Sequence, residues 1–136
     1  LIDIDFLDVS DFSVAWEKTI IPTVNAMSKN SDRIFLSTYR GILALNASDG
    51  QEIWESNIGE DFLTGAVVID NVVYAKAPGP KTIYALSLEN VEILGKITIV
   101  DDSAVEPYAS YATGIFTTDN LLFFFDRDRL YAYGKP

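Results

Sequence analysis

The sequence predicts an all-β chain whose four-stranded antiparallel units repeat along its 136 residues. Two observations carry the prediction. Three tripeptides anchor a repeat: Leu43-Ala44-Leu45, Tyr84-Ala85-Leu86 and Tyr131-Ala132-Tyr133. Their alanines stand 41 and 47 positions apart (85 − 44 and 132 − 85). Upstream of the last two anchors, "TGAVVIDNVVYA" from Thr64 and "TGIFTTDNLLFF" from Thr113 align without gaps. A period of about 40 residues, with short apolar runs broken by turn residues, marks a repeat architecture.

The unit is clearest in its second copy. Its strands A to D are expected at Ala66–Ile69, Val72–Lys76, Thr82–Leu86 and Glu92–Ile97. Asp-Asn breaks A from B, Gly or Asp-Arg breaks B from C, and Ser-Asp-Gly breaks C from D. "TVNAMSKNSDRIFL" from Thr23 is a looser copy of the first half. "FLSTYRGILAL" (Phe35–Leu45) and "FFFDRDRLYAY" (Phe123–Tyr133) align without gaps. Strands B and C are apolar on both faces, as in Ile34-Phe35-Leu36 and Ile42-Leu43-Ala44-Leu45, so both faces must be covered. Strand D alternates (Glu52, Ile53, Trp54, Glu55) and suits an outer, half-exposed position. No stretch shows a helical stripe.

Such a unit is the pattern of a β-propeller blade. One domain is expected over residues 1–136. Residues 1–20 give strands C and D of a first blade, residues 23–58 and 64–100 two whole blades, and residues 113–134 strands A to C of a last one. Propellers close with about four to eight blades. The chain is therefore a partial propeller or arc, completed by missing sequence or by another chain. Two copies would make a ring of about six blades under two-fold symmetry. Val14–Ile20 is expected to pair with Leu130–Tyr133, within or between chains.

Composition narrows the chemistry. The formal charge is −10, which argues against a nucleic-acid backbone as partner. The chain has no Cys and no His, which removes disulfides, thiolate metal sites, Cys nucleophiles and every Ser-His triad. No apolar run approaches the roughly 18 residues of a membrane span. The acidic start "LIDIDFLDVSD" does not read as a signal peptide.

"LALNASDGQEIWES" resembles the repeat of the pyrroloquinoline-quinone-like (PQQ-like) β-propellers. That repeat has an aromatic residue or Leu, then Ala-Leu, then Asn or Asp, a turn ending in Gly, and a Trp four residues later. Leu43, Ala44, Leu45, Asn46, Gly50 and Trp54 fit it. A first copy keeps Leu7, Asp8 and Trp16 but carries Phe12 in place of the Gly. The second keeps Tyr84, Ala85 and Leu86; aligned one residue shorter, it places Leu94 at the Trp position. The third keeps Tyr131, Ala132 and Tyr133. The resemblance implies the propeller fold and an extracytoplasmic or secreted location. It does not choose among quinoprotein dehydrogenases, outer-membrane assembly lipoproteins and cofactor-free scaffolds.

The repeat signature is Trp16, Ala44, Gly50, Trp54, Ala85 and Ala132. Its tryptophans are expected as wedges between blades rather than ligand platforms. Asn46, Ser48, Asp49 and Glu52 crowd a Gly turn but lack calcium-loop spacing, so a plain C–D turn is expected. Asp3 and Asp5 share one strand face and are expected at a solvated edge.

Where the repeat breaks is more informative. The B–C turn "KAPGPK" (Lys76–Lys81) is long, and so is the link between Val100 and Thr113. In an up-and-down blade both fall on one end of the propeller. Lys76, Pro78, Pro80, Lys81, Glu106, Tyr108, Tyr111 and Arg127 are therefore the candidate contacts for a protein or peptide partner. No catalytic residue, metal ligand or cofactor is expected on the leading reading, a non-enzymatic protein-binding or scaffold domain. Alternatives are a fragment of a PQQ-dependent quinoprotein dehydrogenase, with PQQ and calcium, and a structural subunit of a surface assembly.

Overall fold

A computed structural model describes residues 13–77, 82–98, 115–118, 120–126 and 129–134, with backbone only at 124–126 and 129. All the secondary structure described is strand. The first sheet holds β1 (Val24–Asn30), β2 (Arg33–Thr38), β3 (Ile42–Asn46) and β4 (Glu52–Glu55). The second holds β5 (Val67–Ile69), β6 (Val72–Lys76), β7 (Thr82–Ser87) and β8 (Ile93–Thr98). The third holds β9 (Ile115–Thr117), β10 (Leu121–Asp126) and β11 (Arg129–Gly134). Each sheet runs in chain order, and every pairing is antiparallel. β1 lies against β5 and β5 against β9, so the first strands of successive sheets line one side of the arc. This is the blade arrangement the repeat predicts.

Equivalent turns hold the first two blades together. The A–B loop puts Ser31 (φ 52°) and Asp70 (φ 54°) in the left-handed region at the same point of the hairpin. The following C–D turn hangs on that loop: Ala47 N–H donates to Asp32 O at 2.7 Å, and Leu88 N–H to Asn71 O at 2.9 Å. Local side chains shape the C–D turn. Asn46 Oδ1 accepts from Ser48 N–H (2.9 Å) and Ser48 Oγ (2.8 Å), and Asp49 Oδ1 accepts from Gln51 N–H (2.9 Å). Ser87 Oγ and Asn90 Oδ1 repeat these roles toward Glu89 and Glu92. These oxygens are the turn itself, as expected. Among the described residues no group of three acidic, His or Cys side chains is placed to hold a metal.

The central strands of the first blade are buried on both faces. Phe35, Ile42, Ala44 and Trp54 face the second blade, while Leu36, Leu43 and Leu45 face the other way with Ile20 and Ile34. The outer strand β4 exposes Glu52, Ile53 and Glu55 and buries only Trp54.

Two expectations fail. Residues 13–20 form no strand, so Val14–Ile20 does not pair with Leu130–Tyr133 within one chain; a strand needs a ladder partner, and none lies beside this segment among the described residues. Nor does Leu94 stand at the Trp position. Ala44 pairs with Trp54 and Ala85 with Gly95, each ten residues on (54 − 44 and 95 − 85), with a bulge at the same point. The second C–D unit is not shorter, and Gly95 is the counterpart of Trp54. Leu94 points outward and is 52% exposed. Asp3 and Asp5 lie outside the described residues.

Candidate functional site

The seam between the first two blades is built from both sheets. Phe35, Ile42, Ala44 and Trp54 pack on Val73, Ala75, Tyr84 and Leu86, with Phe62 from the linker between them. Phe35 and Trp54 rings lie 6.0 Å apart, and Phe62 meets Tyr84 edge-on at 5.8 Å. Burying this many aromatics in one interface gives it most of its stability.

Polar groups close the rim. Trp54 Nε1–H donates to Leu88 O at 2.9 Å. Arg33 Nη1 also donates to that carbonyl, while its Nη2 meets Glu89 at 3.1 Å. One junction earlier, Trp16 Nε1–H donates to Ala47 O at 3.0 Å. Leu88 and Ala47 are equivalent positions, each three residues past the anchor alanine. Both tryptophans thus fasten onto the C–D turn of the following blade, the wedge role expected from the repeat.

Gly50 makes the Trp16 wedge fit. It has φ +70°, and a Cβ there would sit 2.6 Å from the indole of Trp16. Both facts demand glycine. The Thr-Gly pair has a similar purpose on the inner side. Thr64 O accepts from Ser37 Oγ at 2.7 Å, Ala66 O accepts from Ser28 Oγ at 2.5 Å, and a Cβ on Gly65 would press within 3.2 Å of Ser28 Cβ. Asn25 adds bonds to Asp61 Oδ1 (2.6 Å) and Phe62 O (3.1 Å). Tyr84 reaches Glu60 through a long 3.4 Å contact. Burial first, then the adjacent Glu60 charge and that contact, raise its phenol above the ordinary value near 10.

The seam between the second and third blades is looser. Ile83 and Leu122 form its core with Val67, Ile69, Tyr74, Ile97, Ile115 and Tyr131 around them. A groove of about 160 Å³ remains between Ile69, Tyr74 and Ile97 on one side and Asn120, Leu122, Tyr133 and Gly134 on the other.

Among the described residues, the third blade's far face is open. By register, Phe123 pairs with Phe116 and Ala132, as Phe35 pairs with Ala44 and Ala44 with Trp54 in the first blade. Phe116 (50% exposed) stacks on Phe123 at 4.9 Å, with Leu121 (38%) and Leu130 (59%) beside them. The corresponding face of the first blade is buried.

Of the partner contacts expected from sequence, Pro78, Pro80, Lys81, Glu106, Tyr108, Tyr111 and Arg127 lie outside the described residues. Lys76 is only 2% exposed, so its side chain is not on the surface where a partner contact was expected. It ends β6 across from Ile83, and the next residue, Ala77, donates its N–H to Thr82 O at 2.9 Å. The Arg33–Glu89 clasp and the Gly95 vacancy were missed. A strict 41-residue offset through the C–D unit (95 − 54) would have exposed the latter.

No family model matches the chain, and no curated protein matches it. Solved structures do. BamB from Moraxella catarrhalis is similar with TM-score 0.70 and 16% identity, over 90% of this chain and 37% of that one. A europium-containing methanol dehydrogenase matches with TM-score 0.55 and 18% identity, over 67% of this chain and 20% of that one. The computationally designed protein Ika4 matches with TM-score 0.50 and 10% identity, over 90% of this chain and 98% of that one. The chain thus spans about a third of BamB and a fifth of the dehydrogenase. These likenesses, with the three sheets and their stacked seams, show an all-β arc of propeller blades.

Proposed function

We propose that this chain is an arc of a PQQ-like propeller and acts as a non-enzymatic, extracytoplasmic protein-binding scaffold. The open face of the third blade carries the reading. Phe116, Leu121, Phe123 and Leu130 stand where the first blade presents the face that its neighbour covers. An apolar face of this kind marks an interface. Its natural occupant is the near side of a further blade, of the type that Val73, Ala75, Tyr84 and Leu86 of the second blade present to the first. That blade comes from a longer form of the chain or from a second copy. A protein partner then uses the end of the arc that carries "KAPGPK" and the long link before Thr113, through Lys81, Tyr108 and Tyr111. The absence of His and Cys from the sequence favours a scaffold over redox chemistry.

The second reading, a quinoprotein dehydrogenase fragment, draws on the likeness to methanol dehydrogenase, which at 18% identity speaks for fold alone. Titration with PQQ and calcium followed by absorbance separates the two. The scaffold reading expects an unchanged quinone spectrum. A saturable spectral shift would overturn it.

A further inference from the structure

The groove between the second and third blades is a vacated wedge site. By register, Trp54 takes the corresponding place in the preceding seam, beside Phe35 and in one core with Val73 and Leu86 of the next blade. Three of its lining groups have counterparts there. Tyr74 replaces Phe35, since each pairs with the anchor alanine (Ala85 and Ala44). Leu122 and Tyr133 replace Val73 and Leu86, each a cross-strand pair. Trp54 itself is replaced by Gly95, across from Ala85 and on the same face as Tyr74 and Ile97. A Cβ built on Gly95 meets nothing within 4 Å, so the face is open at that point.

We infer that this groove is a binding site for an aromatic side chain, an indole, carried by a partner peptide. The sister seam supplies the argument for that occupant: the same repeat geometry encloses an indole there, edge-bonded to the C–D turn. The groove is half open and its volume, about 160 Å³, is of the order of the apolar cavity of about 150 Å³ that holds benzene, so it takes the six-membered ring of an indole and leaves the rest at the open side. The lining suits it too, with two phenol rings, Ile97 and Leu122 for the ring faces and Asn120 at the polar edge. This adds a partner chemistry to the scaffold reading and is tested apart from it, because the open face of the third blade is not involved.

The test is a titration of isotope-labelled protein with a short Gly/Ser peptide carrying one central Trp, and with the same peptide carrying Leu. Saturable amide shifts at Gly95, Ile97, Leu122 and Gly134 are expected with the Trp peptide alone. They should vanish in Gly95→Trp, whose own indole fills the groove and raises the melting temperature. Gly95→Leu, a smaller plug, should weaken the shifts severalfold, and keeps the test open if the Trp variant folds poorly. Absence of shifts, shifts centred elsewhere, or equal shifts with the Leu peptide would overturn the assignment.

Discussion

Trp54 donates its indole N–H to the carbonyl of Leu88 across the first blade seam, at 2.9 Å, while its ring is 6% exposed. The side chain therefore joins two sheets by packing and by direction. Trp54→Phe keeps an aromatic body and loses the bond and part of the contact. It should lower unfolding free energy by about 1–3 kcal/mol, while Trp54→Ala should cost about 3–5 kcal/mol. Urea unfolding checks both values. Equal, small losses would mean that the seam does not depend on the wedge.

Gly50 and Trp16 should be energetically coupled. Gly50→Ala places a methyl group against the Trp16 indole and forces a left-handed φ of +70° on a residue with a Cβ. The expected cost is about 1–3 kcal/mol, shared between backbone strain and overpacking. In a Trp16→Ala background the packing share disappears, so the same substitution should cost only about 1 kcal/mol. A double-mutant cycle with no coupling would contradict this contact.

Tyr84 gives a pH signature. Its folded-state pKa is raised, first by burial and then by Glu60. Above the ordinary value near 10 the unfolded chain releases this proton while the folded chain retains it. The stabilisation is therefore complete below pH 10 and is lost as pH rises through the folded-state pKa. Tyr84→Phe should flatten the alkaline limb of a stability–pH curve. A variant whose alkaline limb matches the parent would exclude Tyr84 as its source.

The strands were legible in the sequence because B and C must be apolar on both faces and turn residues punctuate them. The second blade's strands lie within one residue of where alternation puts them. The wedge role of Trp16 and Trp54 was legible from their fixed place in the repeat. Gly95 was not, because matching residue types drew Leu94 onto the Trp position, whereas cross-strand register follows spacing. The Arg33–Glu89 clasp joins different blades, and no local pattern announces such a pair. Lys76 read as a loop cation because "KAPGPK" is polar and Pro-rich, but it ends a strand with its side chain buried.

The open face of the third blade ties the arc to its function, and sedimentation velocity across a concentration series tests it most directly. The isolated chain should sediment above the mass of one copy as concentration rises, and bind an apolar dye at the dilute end of the series, where the face is uncovered. A Phe116→Lys/Leu130→Glu variant should sediment as a single copy with the same far-ultraviolet spectrum. A parent chain that is folded, strictly monomeric at all concentrations and silent to the dye would contradict the account.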